Sequence, residues 1–150
     1  MNIHVRILFF LIFFSPFIKS SEYEITILAT NIANFGGVGE WSFSALLESE
    51  NNSILFDTGY DENTVLHNAK LLSKDLSKVE KVILSHFHGD HTGGLIKLRK
   101  TYMAKNPDAF SKVYVAEGFF EQRYDVDGNL RGFIGGFNDV NDFLSASTQI

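Results

Sequence analysis

Cysteine is absent from this chain of 150 residues. The protein can therefore form no disulfide bond, offer no thiolate to a metal ion and carry no lipid on a cysteine. A chain without cysteine can be exported, but the absence does not by itself predict export. Any metal site has to be built from imidazole and carboxylate groups.

Basic residues are also scarce. Lysine and arginine number 13 against 18 aspartates and glutamates, which gives a net charge of −5, and they form no cluster. Proteins that bind nucleic acid neutralise its phosphates with clustered lysine and arginine. We therefore expect a small-molecule substrate and no nucleic-acid partner.

A membrane-spanning run of about 20 apolar residues is missing as well. The apolar run 7–18 is shorter, follows a basic start with Arg6, and precedes polar residues, which is the order of a secretory signal peptide. The sequence thus predicts a signal peptide over 1–21 and a secreted or periplasmic protein. Ile18, two residues before Ser20, fits a small-residue cleavage site poorly, so an uncleaved membrane anchor remains the alternative.

Three of the five histidines lie within six residues of one another. In an extended segment His86 and His88 point to the same side and can bind one ion. Gly89 then allows the backbone to turn, so that Asp90 and His91 emerge toward a second ion. This combination of imidazole and carboxylate suits zinc, with iron or manganese as possible substitutes.

The segment before the histidines predicts where they lie in the fold. Residues 79–84 form a short apolar, β-branched run typical of a buried strand. The ligands then follow the carboxyl end of a strand, where open α/β sheets place their sites.

The sequence His-Phe-His-Gly-Asp-His at 86–91, followed by Thr-Gly-Gly, resembles the H-x-H-x-D-H signature of the metallo-β-lactamase superfamily. That resemblance implies an α/β fold, the αββα sandwich, and a hydrolase with two zinc ions. His86 and His88 would bind the first ion, and Asp90 and His91 the second. Asp90 would also take the proton as a metal-bound hydroxide attacks an ester, lactone, amide or phosphodiester.

Two further segments strengthen the resemblance. Leu-Phe-Asp-Thr-Gly at 55–59 is similar to an earlier superfamily motif, in which the aspartate, here Asp57, orients a metal-bound histidine by a hydrogen bond. Residues 65–72 and 75–79 resemble the subgroup of dihydropterin-linked ribofuranosyl-aminobenzene phosphate synthases.

Later superfamily ligands have no counterpart in the sequence. No histidine follows His91, and the remaining aspartates do not lie in similar motifs; they are Asp108, Asp125, Asp127, Asp139 and Asp142. We therefore interpret 22–150 as the N-terminal βα half of the domain, with weak metal binding and an exposed apolar sheet face. Self-association or a second chain would complete it. A truncated or degenerate product without activity and an iron-dependent oxidoreductase on the same scaffold remain alternatives.

Local patterns predict the remaining elements. The glycine-containing loop 31–40 is expected beside the metal cleft, and His67 is expected at the surface. Predicted strands cover 23–29, 41–47, 53–56 and 112–116, helices cover 61–73 (capped by Asp61) and 95–105, and a hairpin turns at Asp127-Gly128 within 124–133.

Overall fold

A computed structural model describes residues 22–131 of the protein. The first sheet contains β1 (Glu24–Ala29), β2 (Ser44–Glu48), β3 (Ser53–Phe56), β4 (Lys81–Ile83) and β5 (Lys112–Tyr114). The helices are α1 (Thr64–Leu71), α2 (Gly89–Thr92) and α3 (Leu95–Tyr102), with a 3₁₀ turn over Leu76–Lys78. A hairpin of β6 (Arg123–Tyr124) and β7 (Leu130–Arg131) follows.

The five strands of the first sheet are neighbours in the order of the sequence. β1, β2 and β3 pair antiparallel, whereas β3, β4 and β5 pair parallel. The connections explain the change, because a short turn joins β2 to β3, while α1 and α3 carry the chain back between the parallel strands. The parallel part directs the ends of β3 and β4 to the same edge.

The two faces of this sheet differ in burial. One face packs under the helices, with Leu46, Leu55 and Val82 fully buried in the core. The strand registers place five partly exposed apolar side chains on the opposite face. We call this set the open face, and it consists of Ile25, Ile27, Leu47, Ile83 and Tyr114. The expected exposed apolar face is thus present.

Helix α1 begins later than predicted. Its N-cap is Asn63, not Asp61, and neither side chain caps it in the usual way; the Asp61 carboxylate instead accepts a hydrogen bond from the Asn63 backbone N–H (2.8 Å). The burial of α1 does not follow the polarity of its residues throughout, because the polar Asn68 is buried whereas the apolar Leu72, just after the helix, is 41% exposed.

The other predictions hold with shorter bounds. β2 starts at Ser44, β4 and β5 span three residues each, and α3 ends at Tyr102. The hairpin turns as predicted, with Asp125 binding the Asn129 backbone N–H. The signal peptide over 1–21, Asp139 and Asp142 lie outside the described residues. Among residues 22–131, no helix is long and apolar enough to cross a membrane.

Candidate metal centre

The histidine motif follows β4 directly, as the sequence predicts. After the extended residue His88 (φ −67°, ψ 149°), residues from Gly89 to Thr92 form a single helical turn. The His88 carbonyl accepts hydrogen bonds from the His91 backbone N–H (3.1 Å) and the Thr92 hydroxyl (3.0 Å). This turn brings Asp90 and His91 back toward His86.

Three of the four predicted ligands converge. Within the described part of the chain, His86, Asp90 and His91 offer donor atoms that all lie within 4.8 Å of one another. His91 Nε2 and Asp90 Oδ2 are 3.5 Å apart, close to the separation of about 3.4 Å between two ligands of a tetrahedral zinc ion. The donor types and their spacing therefore fit a zinc-sized ion.

His88 lies beside this group and outside it. Its ring is exposed and sits edge-on to His86, with ring centroids 4.6 Å apart. The His86 and His91 rings are closer, at 4.1 Å. The structure thus groups the donor atoms of His86 with those of Asp90 and His91, and the pairing of His86 with His88 on one ion stays a prediction.

Asp57 supports the candidate ligands through hydrogen bonds. Its side chain is 1% exposed and its backbone has a positive φ of 53°, a conformation that aspartate tolerates better than most residues. Oδ2 accepts a hydrogen bond from His91 Nδ1 (2.7 Å), and Oδ1 accepts one from the Ser85 backbone N–H (2.7 Å). Asp57 therefore lies where the sequence expects a residue that orients a metal-binding histidine.

Backbone contacts lock the Asp57 loop against the motif. Both the backbone N–H and the hydroxyl of Thr58 donate to the His91 carbonyl, at 2.7 and 3.1 Å. Gly93 packs so tightly against the Tyr60 carbonyl that a Cβ at this position would overlap it. Gly94 packs in the same way against the Thr58 carbonyl, so the double glycine after the motif is needed for close packing.

The environment of His86 favours its neutral form. Burial is the largest effect, followed by the neighbouring His91 and His88, and together they lower the pKa of His86 below its usual 6.5. Asp57 and Asp90 oppose this shift less strongly. A neutral imidazole is the form that binds metal, so this histidine keeps its ligand capacity to a lower pH than an ordinary one.

Glu40 is a structural residue that the sequence analysis missed. Its carboxylate accepts hydrogen bonds from the backbone N–H groups of Tyr60 (2.7 Å) and Asp61 (3.0 Å) and from the hydroxyls of Thr64 (2.8 Å) and Ser42 (2.6 Å). It thus joins the loop before β2 to the start of α1. Its partners lie up to 24 residues away, so no local spacing signals this role.

The loop 31–40 is fixed by α1. The buried Asn68 amide donates to the carbonyls of Leu28 and Val38, both at 2.8 Å, and accepts from the Val38 backbone N–H (2.9 Å). The exposed His67, as expected a surface residue, has Nε2 2.8 Å from the Gly36 carbonyl.

None of the three later aspartates within the described residues, which are Asp108, Asp125 and Asp127, joins the His86 group. Asp125 is engaged in the hairpin turn, where it accepts hydrogen bonds from Asp127 and Asn129. The backbone N–H of Asp108 is bonded to the Asn106 side chain (3.0 Å). Among the residues described, three protein donors are therefore gathered at one point.

Comparisons with known proteins agree with this architecture. Residues 41–107 match the model of the metallo-beta-lactamase superfamily. The chain is 36% identical over 88 residues to the 7,8-dihydropterin-6-methyl-4-(beta-D-ribofuranosyl)-aminobenzene-5'-phosphate synthase of Methanocaldococcus jannaschii, covering 55% of this chain and 30% of the relative. It is 28% identical over 126 residues to a metal-dependent hydrolase of Thermodesulfovibrio yellowstonii, covering 77% and 46%.

A solved structure confirms the fold. The crystal structure of a metal-dependent hydrolase of the beta-lactamase superfamily superposes with a TM-score of 0.60 at 28% identity, covering 86% of this chain and 41% of that one. The resemblance to the superfamily, and to the synthase subgroup within it, is therefore confirmed. The chain spans less than half the length of each of these relatives.

Proposed function

We propose that this chain carries the first part of a metal-dependent hydrolase site, with zinc as its metal and a small molecule as its substrate. One observation carries the proposal: donor atoms of His86, Asp90 and His91 converge within 4.8 Å. The hydrogen bond from His91 to the buried Asp57 supports it, since such partners fix the orientation of metal-binding imidazoles.

The residues present have distinct roles in this proposal. A bound zinc ion supplies Lewis acidity, which lowers the pKa of water to about 7. His86 and His91 hold the ion through their imidazoles, and His88, one ring away from His86, is available for a second ion. Asp90, with a quarter of its side chain exposed, can bind the ion or accept the proton that water loses.

This arrangement supports hydrolysis as the reaction class and does not identify the substrate. A carboxylate base beside an activated water suits hydrolysis of an ester, lactone, amide or phosphodiester. The relatives include a synthase and a hydrolase, so the superfamily scaffold alone does not select among substrates.

We also propose that a second copy of the chain covers the open face in solution. The support is the apolar character of that face, on which Ile25 is 66% exposed and Tyr114 52% exposed. Exposed apolar patches of this kind favour association.

Metal content tests the main proposal. Purified protein, loaded with zinc and dialysed, should retain stoichiometric zinc by elemental analysis, and the double variant His86→Ala/His91→Ala should retain none. The matched control is His67→Ala, which removes an exposed histidine on α1 and should leave zinc unchanged. Equal zinc in the wild type and the double variant would refute the proposed site.

Turnover tests the reaction class. Zinc-loaded wild type should hydrolyse at least one member of a panel of nitrophenyl ester, lactone, amide and phosphodiester substrates faster than free zinc. Asp90→Ala should abolish that excess rate. Stoichiometric iron with no hydrolysis would favour the oxidoreductase alternative instead.

A further inference from the structure

Ser85 connects Asp57 to His86. Its hydroxyl oxygen lies 2.8 Å from Asp57 Oδ2 and 3.0 Å from His86 Nδ1. Its backbone N–H also donates to Asp57 Oδ1 at 2.7 Å, so the carboxylate holds this residue at two points. The hydroxyl therefore sits between a buried carboxylate and the imidazole of His86, one of the three candidate ligands.

The direction of these hydrogen bonds follows from the number of protons available. An ionised carboxylate can only accept, so the single hydroxyl proton of Ser85 is donated to Asp57. The hydroxyl oxygen is then an acceptor toward His86, and Nδ1 of His86 has to carry the proton. In a neutral imidazole this leaves the lone pair on Nε2.

His91 obeys the same rule without an intermediary. Its Nδ1 lies 2.7 Å from Asp57 Oδ2, so it also carries its proton on Nδ1 and keeps Nε2 free. One buried carboxylate thus presents two histidines in the same tautomer, His91 directly and His86 through a hydroxyl. Ser85 is 3.5 Å from His91 Nδ1, too far for a strong competing bond.

We propose that Ser85 is a positioning residue. Its hydroxyl links the Asp57 carboxylate to His86 by hydrogen bonds and fixes the His86 tautomer in which Nε2 is free to bind a metal ion. This inference rests on the proposed function for its biological purpose, but the tautomer itself exists without metal. Ser85 does not touch the ion or the substrate in this role.

Nuclear magnetic resonance of metal-free, nitrogen-labelled protein tests the tautomer. At about pH 8, well above the ordinary histidine pKa of about 6.5, wild-type His86 should be protonated on Nδ1. In Ser85→Ala the proton should move partly or wholly to Nε2, and Ser85→Thr, which keeps the hydroxyl, should restore the wild-type spectrum. The control Ser53→Ala removes a hydroxyl that binds the Lys78 carbonyl and should change nothing.

Metal titration gives the second readout. Cobalt affinity, followed by its visible absorption, should fall about 10-fold in Ser85→Ala, the lower end of the loss typical of outer hydrogen-bond partners, and recover in Ser85→Thr. A proton on Nε2 of wild-type His86, or cobalt binding that is measurable and equally tight in wild type and Ser85→Ala, would overturn the inference. If the wild type binds no cobalt but shows the Ser85-dependent tautomer, the proposed function fails and the inference stands.

Discussion

The Asp57 carboxylate shows how one residue can serve both the fold and the site. It binds Ser85 through backbone and side chain, it binds His91, and its own backbone N–H donates to the Ile83 carbonyl at 2.8 Å. Burying a carboxylate is costly unless it is well supplied with hydrogen bonds. Its three side-chain hydrogen bonds meet that condition. They place the carboxylate next to His91 and, through Ser85, near His86.

His86 makes stability depend on pH at the residue scale. In the unfolded chain its pKa is about 6.5, whereas burial first, and then the neighbouring histidines, lower this pKa in the folded chain. Between the two values the unfolded chain binds more protons, so the free energy of unfolding decreases as the pH falls below about 6.5.

Urea unfolding of the protein in a chelator, measured between pH 7.5 and 5.5, should show this decrease for the wild type. His86→Gln should flatten the dependence, because the titrating group is gone, whereas the exposed His67→Gln should not. Identical pH profiles for wild type and His86→Gln would show that another group is responsible.

At the scale of elements, Glu40 holds the segment that leads into α1. The helix has no side-chain cap at Asn63, and the Glu40 carboxylate binds two backbone N–H groups just before the helix and the hydroxyl of its first residue, Thr64. A negative charge at this end also interacts favourably with the helix dipole.

Glu40→Gln should therefore lower the free energy of unfolding by about 2 kcal/mol, since hydrogen bonds to a charged group are stronger than neutral ones. Urea denaturation measures this value. Glu62→Gln is the matched control: Glu62 is largely exposed and pairs with Lys97 at 3.5 Å, so its loss should change stability by less than about 0.5 kcal/mol. Similar losses for both variants would argue against this role of Glu40.

The histidine motif and helix α1 show what the sequence can and cannot predict. The strand before the motif and the placement of His86 at its end follow from local pattern, because β-branched runs and glycines act over a few residues. The start of α1 does not, since Asp61 and Asn63 are both residues that commonly cap helices, and the segment before the helix is held by Glu40, some 20 residues earlier. The sequence predicts a turn at Gly89, but local pattern does not predict that the turn α2 brings Asp90 and His91 together with His86.

At the scale of the whole molecule, the sheet separates two kinds of surface. Its inner face carries fully buried residues, while the open face keeps Ile25, Leu47 and Tyr114 in contact with solvent. The metal group lies at the edge where β3 and β4 end, so covering the open face need not cover the candidate ligands. We therefore expect association and metal binding to be separable properties.

We expect the purified chain to form dimers or larger species through the open face, measured by sedimentation velocity across a range of concentrations. Ile25→Thr/Ile27→Thr keeps β-branched residues in β1 and removes apolar area where the side chains are 66% and 44% exposed, so folding should be little affected. Burying an isoleucine side chain contributes about 1.5–3 kcal/mol, and the double variant should weaken association at least about tenfold, which corresponds to about 1.4 kcal/mol. The control Val126→Thr changes a fully exposed apolar residue of the hairpin and should associate like the wild type. A wild type that stays monomeric at all concentrations, or association equally weakened by Val126→Thr, would contradict the assignment of the open face as the contact surface. Unchanged zinc retention in the double variant would confirm that association and metal binding are separate properties.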